Sequence, residues 1–209
     1  KIAKTETDAK LGTTTWTLSN GTQVTFKKTD FKDDEITFAA ISLGGVSVIP
    51  DADYHKTRFA FDALLEAGIG GLSKTDLTHY LAGKQVAASS YVGGLTEGVS
   101  GTSSKKDLKT AMELIYACFT DLNYNPESFN SYKTKKSAAL ANVDSDPEYY
   151  FSNEYAKFIN QKNPRFIGIL PLAKDWAATD YKKAYDVYKE KFANAGNFHF
   201  YFVGNIDEA

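Results

Sequence analysis

Cysteine is nearly missing. Cys118 stands alone among 209 residues, which excludes an internal disulfide framework and a zinc ribbon. Histidine is almost as scarce: His55, His79 and His199 are the complete set, and no two lie within five residues of each other. A helical zincin site needs two His one turn apart with a Glu base beside them, and that spacing does not occur. Long apolar runs are absent too, and none approaches the roughly 18 residues of a membrane span. Excess charge of one sign is also lacking, with 24 Lys and Arg against 26 Asp and Glu and a net charge of -2. A nucleic-acid binder carries a strongly basic domain or face, so neither nucleic acid nor membrane insertion is expected. There is no Gly-x-Ser-x-Gly elbow, no linker rich in Pro, Gly or Ser, and no internal repeat. Residues 1–209 therefore read as one domain.

What is present is a globular composition, 43% hydrophobic and 14% aromatic. Asn20-Gly21 between the alternating segments Trp16–Ser19 and Thr22–Phe26 is a strong hairpin signal. Lys27 to Glu35 reads as a charged turn and Ile36–Leu43 as a strand closed by Gly44-Gly45. Residues 52–67 have helical spacing, broken by Gly68, Gly70 and Gly71. Ser73-x-x-Asp76 resembles a capping box opening a short helix that ends at Gly83. Residues 84–92 and 95–102 read as two strands joined at Gly93-Gly94. Ser104-x-x-Asp107 caps the next helix, whose stripe is Leu108, Ala111, Met112, Ile115, Cys118 and Leu122. Asn125-Pro126 and Asp146-Pro147 each start a helix with Pro at its first position. A last helix spans about 179–195 with Tyr181, Ala184, Tyr185, Tyr188 and Phe192 inward and Gly196 as its C-cap. Phe198–Val203 is a closing buried strand. Strands and helices are partly segregated, which predicts an α+β fold: a largely antiparallel mixed sheet of about five to six strands with helices on one face.

Few residues carry chemistry. In His55-Lys-Thr-Arg58-Phe59 the places of a zinc site's base and second ligand hold Arg and Phe; Phe cannot bind zinc, and Arg, with a pKa above about 12, cannot accept a proton. His79 and His199 read as structural. Asp62 and Glu66 sit four apart on a helix and read as a solvated face. Asp144-Ser-Asp146-Pro-Glu148 lacks the glycine and ligand spacing of a calcium loop, and Asp146 fits a helix cap better. Cys118 lies on an apolar stripe, the setting of an inert thiol. Gly68-Ile-Gly70-Gly71 joins two helices and fits no phosphate loop. Lys133, Lys135 and Lys136, like Lys182, Lys183, Lys189 and Lys191, read as solvated helix faces. No catalytic, cofactor-binding or metal residue is expected in this chain.

Several segments, in order, resemble the second half of insulinase/pitrilysin-family zinc metallopeptidases. They are Leu18-Ser-Asn-Gly21-Thr-Gln-Val24, Ile36 through Ser42-Leu-Gly-Gly45, Phe61–Gly70, Leu77–Lys84, Glu97-Gly98-Val-Ser-Gly101, Lys106-Asp107-Leu108, and Phe198–Ile206. The resemblance covers about 16–206. It implies the fold shared with mitochondrial processing peptidase, in proteins built from related domains, commonly four, in two halves that close around unfolded peptides. The first of those domains carries His-x-x-Glu-His. Here the corresponding helix, about 52–67, offers no residue onto which a family ligand can be carried. The resemblance thus implies a non-catalytic domain that helps form a peptide chamber, in a parent protein that hydrolyses peptides. Zinc is then expected in another domain, with the other domains of the polypeptide and unfolded peptides as partners. The alternative is a catalytically inactive partner subunit or peptide-binding scaffold of a two-chain peptidase; a free-standing enzyme of unrelated chemistry is a third reading. A chain that opens at Lys1 and reaches Gly204–Ala209 as a helix is about to begin is expected to be a fragment truncated before a final helix. The family's bacterial members imply a periplasmic or cell-envelope location.

Overall fold

The computed structural model describes residues 1–161 and 163–206. Asp207–Ala209, where a further helix was expected to begin, lie outside the described residues.

The N-terminal hairpin forms as its turn chemistry requires. β2 (Thr13–Leu18) and β3 (Gln23–Lys28) pair antiparallel, with Trp16 opposite Val24. Gly21 takes φ 88°, a left-handed value that a residue with a side chain rarely adopts, and donates to Leu18 O. β4 (Ile36–Leu43), β5 (Val86–Val92), β6 (Thr96–Ser103) and β7 (His199–Gly204) complete most of the sheet. A further strand, β1 (Ile2–Asp8), flanks β2. The sheet therefore has seven strands in the order β1-β2-β3-β7-β4-β6-β5, where five to six were expected. β1 shows no apolar alternation, and every one of its residues is exposed. Its backbone hydrogen bonds, not a buried face, hold it in place. Only β3 and β7 run parallel; the remaining neighbours are antiparallel.

Side chains alternate between the two faces of the sheet, and the two faces differ. Trp16, Val24, Phe200, Ala40 and Val99 form one cross-strand row, and Phe26, Phe202 and Phe38 form the next. This face meets the helices and holds the core. Residues of opposite phase, such as Thr37, Ile41, Leu43, Ser100, Thr102, Tyr201 and Val203, are exposed.

The helices are α1 (Asp51–Thr57), α2 (Phe61–Leu64), α3 (Lys74–Tyr80), α4 (Leu108–Thr120), α5 (Pro126–Ala139), α6 (Pro147–Ile159), α7 (Ala173–Ala177) and α8 (Tyr181–Phe192). Ser73, Asn125, Asp146 and Asp180 each accept a backbone N–H in the first turn of the helix they precede, meeting donors that the helix leaves unpaired. α8 buries Tyr181, Ala184, Tyr188 and Phe192, and Phe192 packs with Phe119 and Phe198. α6 is different: Asn153 is its one buried residue, while Phe151 and Phe158 are exposed.

Four local expectations need correction. The helix expected over 52–67 is broken into α1, α2 and a 3₁₀ turn at Leu65–Ala67. Buried Thr57 bonds its hydroxyl back to Asp53 O at 2.9 Å, a contact that weakens and bends helices. Met112 is 47% exposed, in an open groove that it lines with Tyr116 of α4, Leu18 of β2 and Val24 of β3. Gly196 is not the cap of α8, which stops at Ala193; Asn194 then opens a 3₁₀ turn of its own by accepting from Gly196 N. β7 is buried on one face only, since Tyr201 and Val203 lie on the uncovered side.

Candidate functional site

The segment from Gly44 through Ala67 is the one the resemblance singles out, and close backbone packing fixes where it starts. At Gly45, φ is 55°, and a Cβ there would lie 2.3 Å from Gly93 O. Only glycine lets the end of β4 approach the β5–β6 turn so closely. Arg165, from the loop after α6, then holds the entry to α1. Its guanidinium donates to Asp51 Oδ1 (2.7 Å), Ile49 O (2.7 Å), Ser47 O (3.0 Å) and Val46 O (3.3 Å), and it lies over the Tyr54 ring. The planar fork of Arg suits this multiple engagement, which Lys could not reproduce.

Two clefts flank this segment. The first, about 780 Å³, lies between the end of β4, α1 and α8. Four of its charged groups pair with one another, while Glu190 stands exposed at its edge. Glu97, buried, accepts from Gly45 N at 2.5 Å and from Lys191 Nζ at 3.2 Å, and Lys183 pairs with Asp53 at 3.0 Å. The second, about 540 Å³, lies between α1, α5 and α7 and is backed by Gly93-Gly94. Phe59 and Tyr132 each contact the indole of buried Trp176 in its wall. Arg58 lies over the Tyr54 and Phe59 rings and gives one hydrogen bond, to Arg165 O at 3.3 Å. Lys136 lies near Tyr132, and among the described residues no carboxylate comes within ion-pair distance of it. Partial burial pushes the Asp62 carboxyl above the usual range, against the opposing pull of Lys136 and then Arg58.

The other residues considered from sequence disperse. The three histidines lie on different elements: His55 on α1, where Nε2 meets Pro164 O at 2.9 Å; His79 on α3, exposed; and His199 on β7, 2.7 Å from Thr25 Oγ1 and lowered in pKa by burial. Among the described residues no three His, Cys, Asp or Glu groups gather where a metal would bind, and Arg58 and Phe59 fill the places beside His55 where further zinc-site groups would stand. These residues do not fit a zinc ion. Asp62 and Glu66 do not act together, because Glu66 pairs with Lys74 at 2.6 Å. Asp146 caps α6. Burial pushes the Cys118 thiol up to about 11.

Of the lysines read as solvated faces, Lys182 pairs with Asp186 along α8 and Lys189 lies over Tyr185. Lys191 is corrected: its side chain is 9% exposed and bound to Glu97. The signal for this pair was available in part. Glu97 shares the inward phase of Val99 on β6, and a charge at an inward strand position needs a partner.

No family model matches the sequence. A zinc protease PQQL-like protein of Arabidopsis thaliana is 28% identical over 200 residues, which span 95% of this chain and 18% of that protein. The periplasmic protease PqqL from Escherichia coli shares the fold over 100% of this chain and 22% of its own, with a TM-score of 0.81 at 23% identity. The structure of the first half of PqqL alone gives 0.67 at 14% identity, over 94% of this chain and 43% of that one. Pitrilysin gives 0.65 at 13% identity, over 100% and 22%. The chain thus spans about a fifth of the length of the full proteins it matches. It shares its fold along its whole length with PqqL and pitrilysin, and its sequence is similar to part of a protein named as a zinc protease.

Proposed function

We infer that residues 1–209 are a single non-catalytic domain of a zinc metallopeptidase, and that the uncovered sheet face forms part of the wall of its peptide chamber. The observation that carries this reading is that face itself. Ile41, Leu43, Tyr201 and Val203 stand exposed among Thr37, Ser100 and Thr102 on a broad surface backed by a packed core. Apolar groups interspersed with hydroxyls suit unfolded segments of varied sequence, since they offer burial and hydrogen bonds without selecting one side chain. The fit is closer to whole PqqL than to its first half alone, which supports descent from the second half of such a protein. That no set of His, Cys, Asp or Glu fit for zinc gathers among the described residues supports a zinc site in another domain of the parent polypeptide. The periplasmic setting of PqqL from Escherichia coli supports a periplasmic location here.

The test uses the chain with trace zinc and an unfolded peptide carrying a photo-crosslinker. No hydrolysis is expected, with labelling on Ile41, Tyr201 and Val203. Labels confined to the helical side would overturn the chamber face. A tight one-to-one zinc ratio lost in His55→Ala would overturn the non-catalytic reading.

A further inference from the structure

The cleft between α1, α5 and α7 differs from its neighbour: among the described residues its charged side chains form no ion pair with one another. Arg58 has five N–H donors, and among the described residues one of them is engaged. Lys136 reaches the same cleft from α5 without a carboxylate in ion-pair range. Among the described residues Asp62 is the one acid lining the cleft and makes no hydrogen bond to either, so this rim carries two cations and one carboxylate. A single negative charge is what this rim lacks. A dianion such as a phosphate monoester would bring more charge than the rim can neutralise. Behind the rim, Tyr54, Phe59, Tyr132 and Trp176 form aromatic walls. At about 540 Å³, the cavity falls inside the roughly 300–1,000 Å³ typical of ligand sites, which are mostly apolar with a few converging polar groups.

We propose that this cleft binds a peptide segment that places an apolar or aromatic side chain beside a single carboxylate, with Arg58 and Lys136 facing the anion and the aromatic walls taking the side chain. This rests on the reading of the chain as a peptide-binding domain but uses a surface apart from the uncovered sheet face. The carboxylate has two sources, the C-terminus of a peptide or an acidic side chain within one. Both present the same chemistry to the guanidinium and the ammonium.

Three fluorescent peptides of otherwise equal sequence separate the sources. One ends in Leu-Phe as a free acid, the second is its C-terminal amide, and the third is an amide with Asp before the final Phe. Binding is read by fluorescence polarisation and by the indole N–H resonance of Trp176, with that of Trp16 as the internal control. The free acid is expected to bind and to shift the Trp176 resonance alone. Lys136→Glu is expected to weaken it about tenfold or more, the loss when a charge-assisted contact becomes a repulsion. Lys136 is exposed, so this variant keeps its fold, and near-ultraviolet circular dichroism verifies that. Arg58→Lys, which keeps the charge, is expected to weaken binding less than Lys136→Glu does. Binding of the third peptide as tight as the first assigns the site to acidic side chains as well as chain ends; its failure assigns the site to chain ends. Equal binding of the neutral amide, or no effect of Lys136→Glu, overturns the proposal. Loss of peptide binding in Tyr201→Asp with none in Lys136→Glu overturns the cleft and leaves the chamber face standing. The converse result overturns the chamber face and leaves the cleft.

Discussion

The two clefts beside the Gly44–Ala67 segment contain similar residues and use them in opposite ways. In the β4–α8 cleft, Glu97 and Lys191 are both buried and bonded, and Lys183 and Asp53 close a second pair. In the α1–α5–α7 cleft, Arg58 and Lys136 face Asp62 across distances too long for an ion pair. A charge matched within the protein is structure, whereas one left partly unmatched beside aromatic walls is available to a partner. Substitutions in the first cleft should therefore act on stability, and those in the second on binding.

The largest effect is expected for Glu97→Ala. It strands the Lys191 ammonium in a dry site and removes the acceptor of Gly45 N–H, a loss of about 3–5 kcal/mol in urea denaturation. The double change Glu97→Leu with Lys191→Met should recover most of it, because the cost lies in an unpaired charge. A double variant as unstable as the single one would break the distinction between the clefts. Arg165→Ala comes next, at about 2–3 kcal/mol for several charged hydrogen bonds lost together, with faster amide exchange along residues 45–51. Asp146→Ala, away from both clefts, should cost about 1 kcal/mol as a lost helix cap and serves as the reference for an ordinary local contact.

Smallest in stability is the second cleft. Lys136→Glu should fall within about 0.5 kcal/mol of the parent while altering peptide binding. Asp62 sharpens the contrast through pH. Its folded-state pKa is raised, so the folded chain holds the proton longer than the unfolded one. Stability should therefore decline as pH rises through the window between the ordinary carboxylate pKa and the raised value, and stay lower above it. Asp62→Asn should remove that decline in a series of melts; an unchanged profile would mean that Asp62 feels no desolvation.

Legibility from sequence followed the range of the interactions. The Asn20-Gly21 hairpin and the caps at Ser73, Asn125 and Asp146 are readable because a few adjacent residues determine them. The inward stripe of α8 is readable from its 3.6-residue period. β1 is not, because a strand without a buried face leaves no periodic signal. The break at Thr57 depends on a side chain bonding back into its own helix, which propensity does not reveal. Glu97 shows as an inward charge, but its partner lies 94 residues away on another element. The second cleft joins Arg58 from the end of α1, Lys136 from α5 and Trp176 from α7, so nothing local in the sequence announces it.

The position of β7 bears on how the molecule is made. Its residues come near the C-terminal end of the chain, yet they sit between β3 and β4, and His199 meets Thr25 across a separation of 174 residues. Without β7, nothing in the sheet joins β1–β3 to β4–β6, and the facing edges of β3 and β4 are left unpaired. Such late, distant pairing slows folding, and bare strand edges invite association between molecules. A chain cut before His199 should accumulate as aggregate, whereas one that reaches Gly204 can join both halves with a single strand.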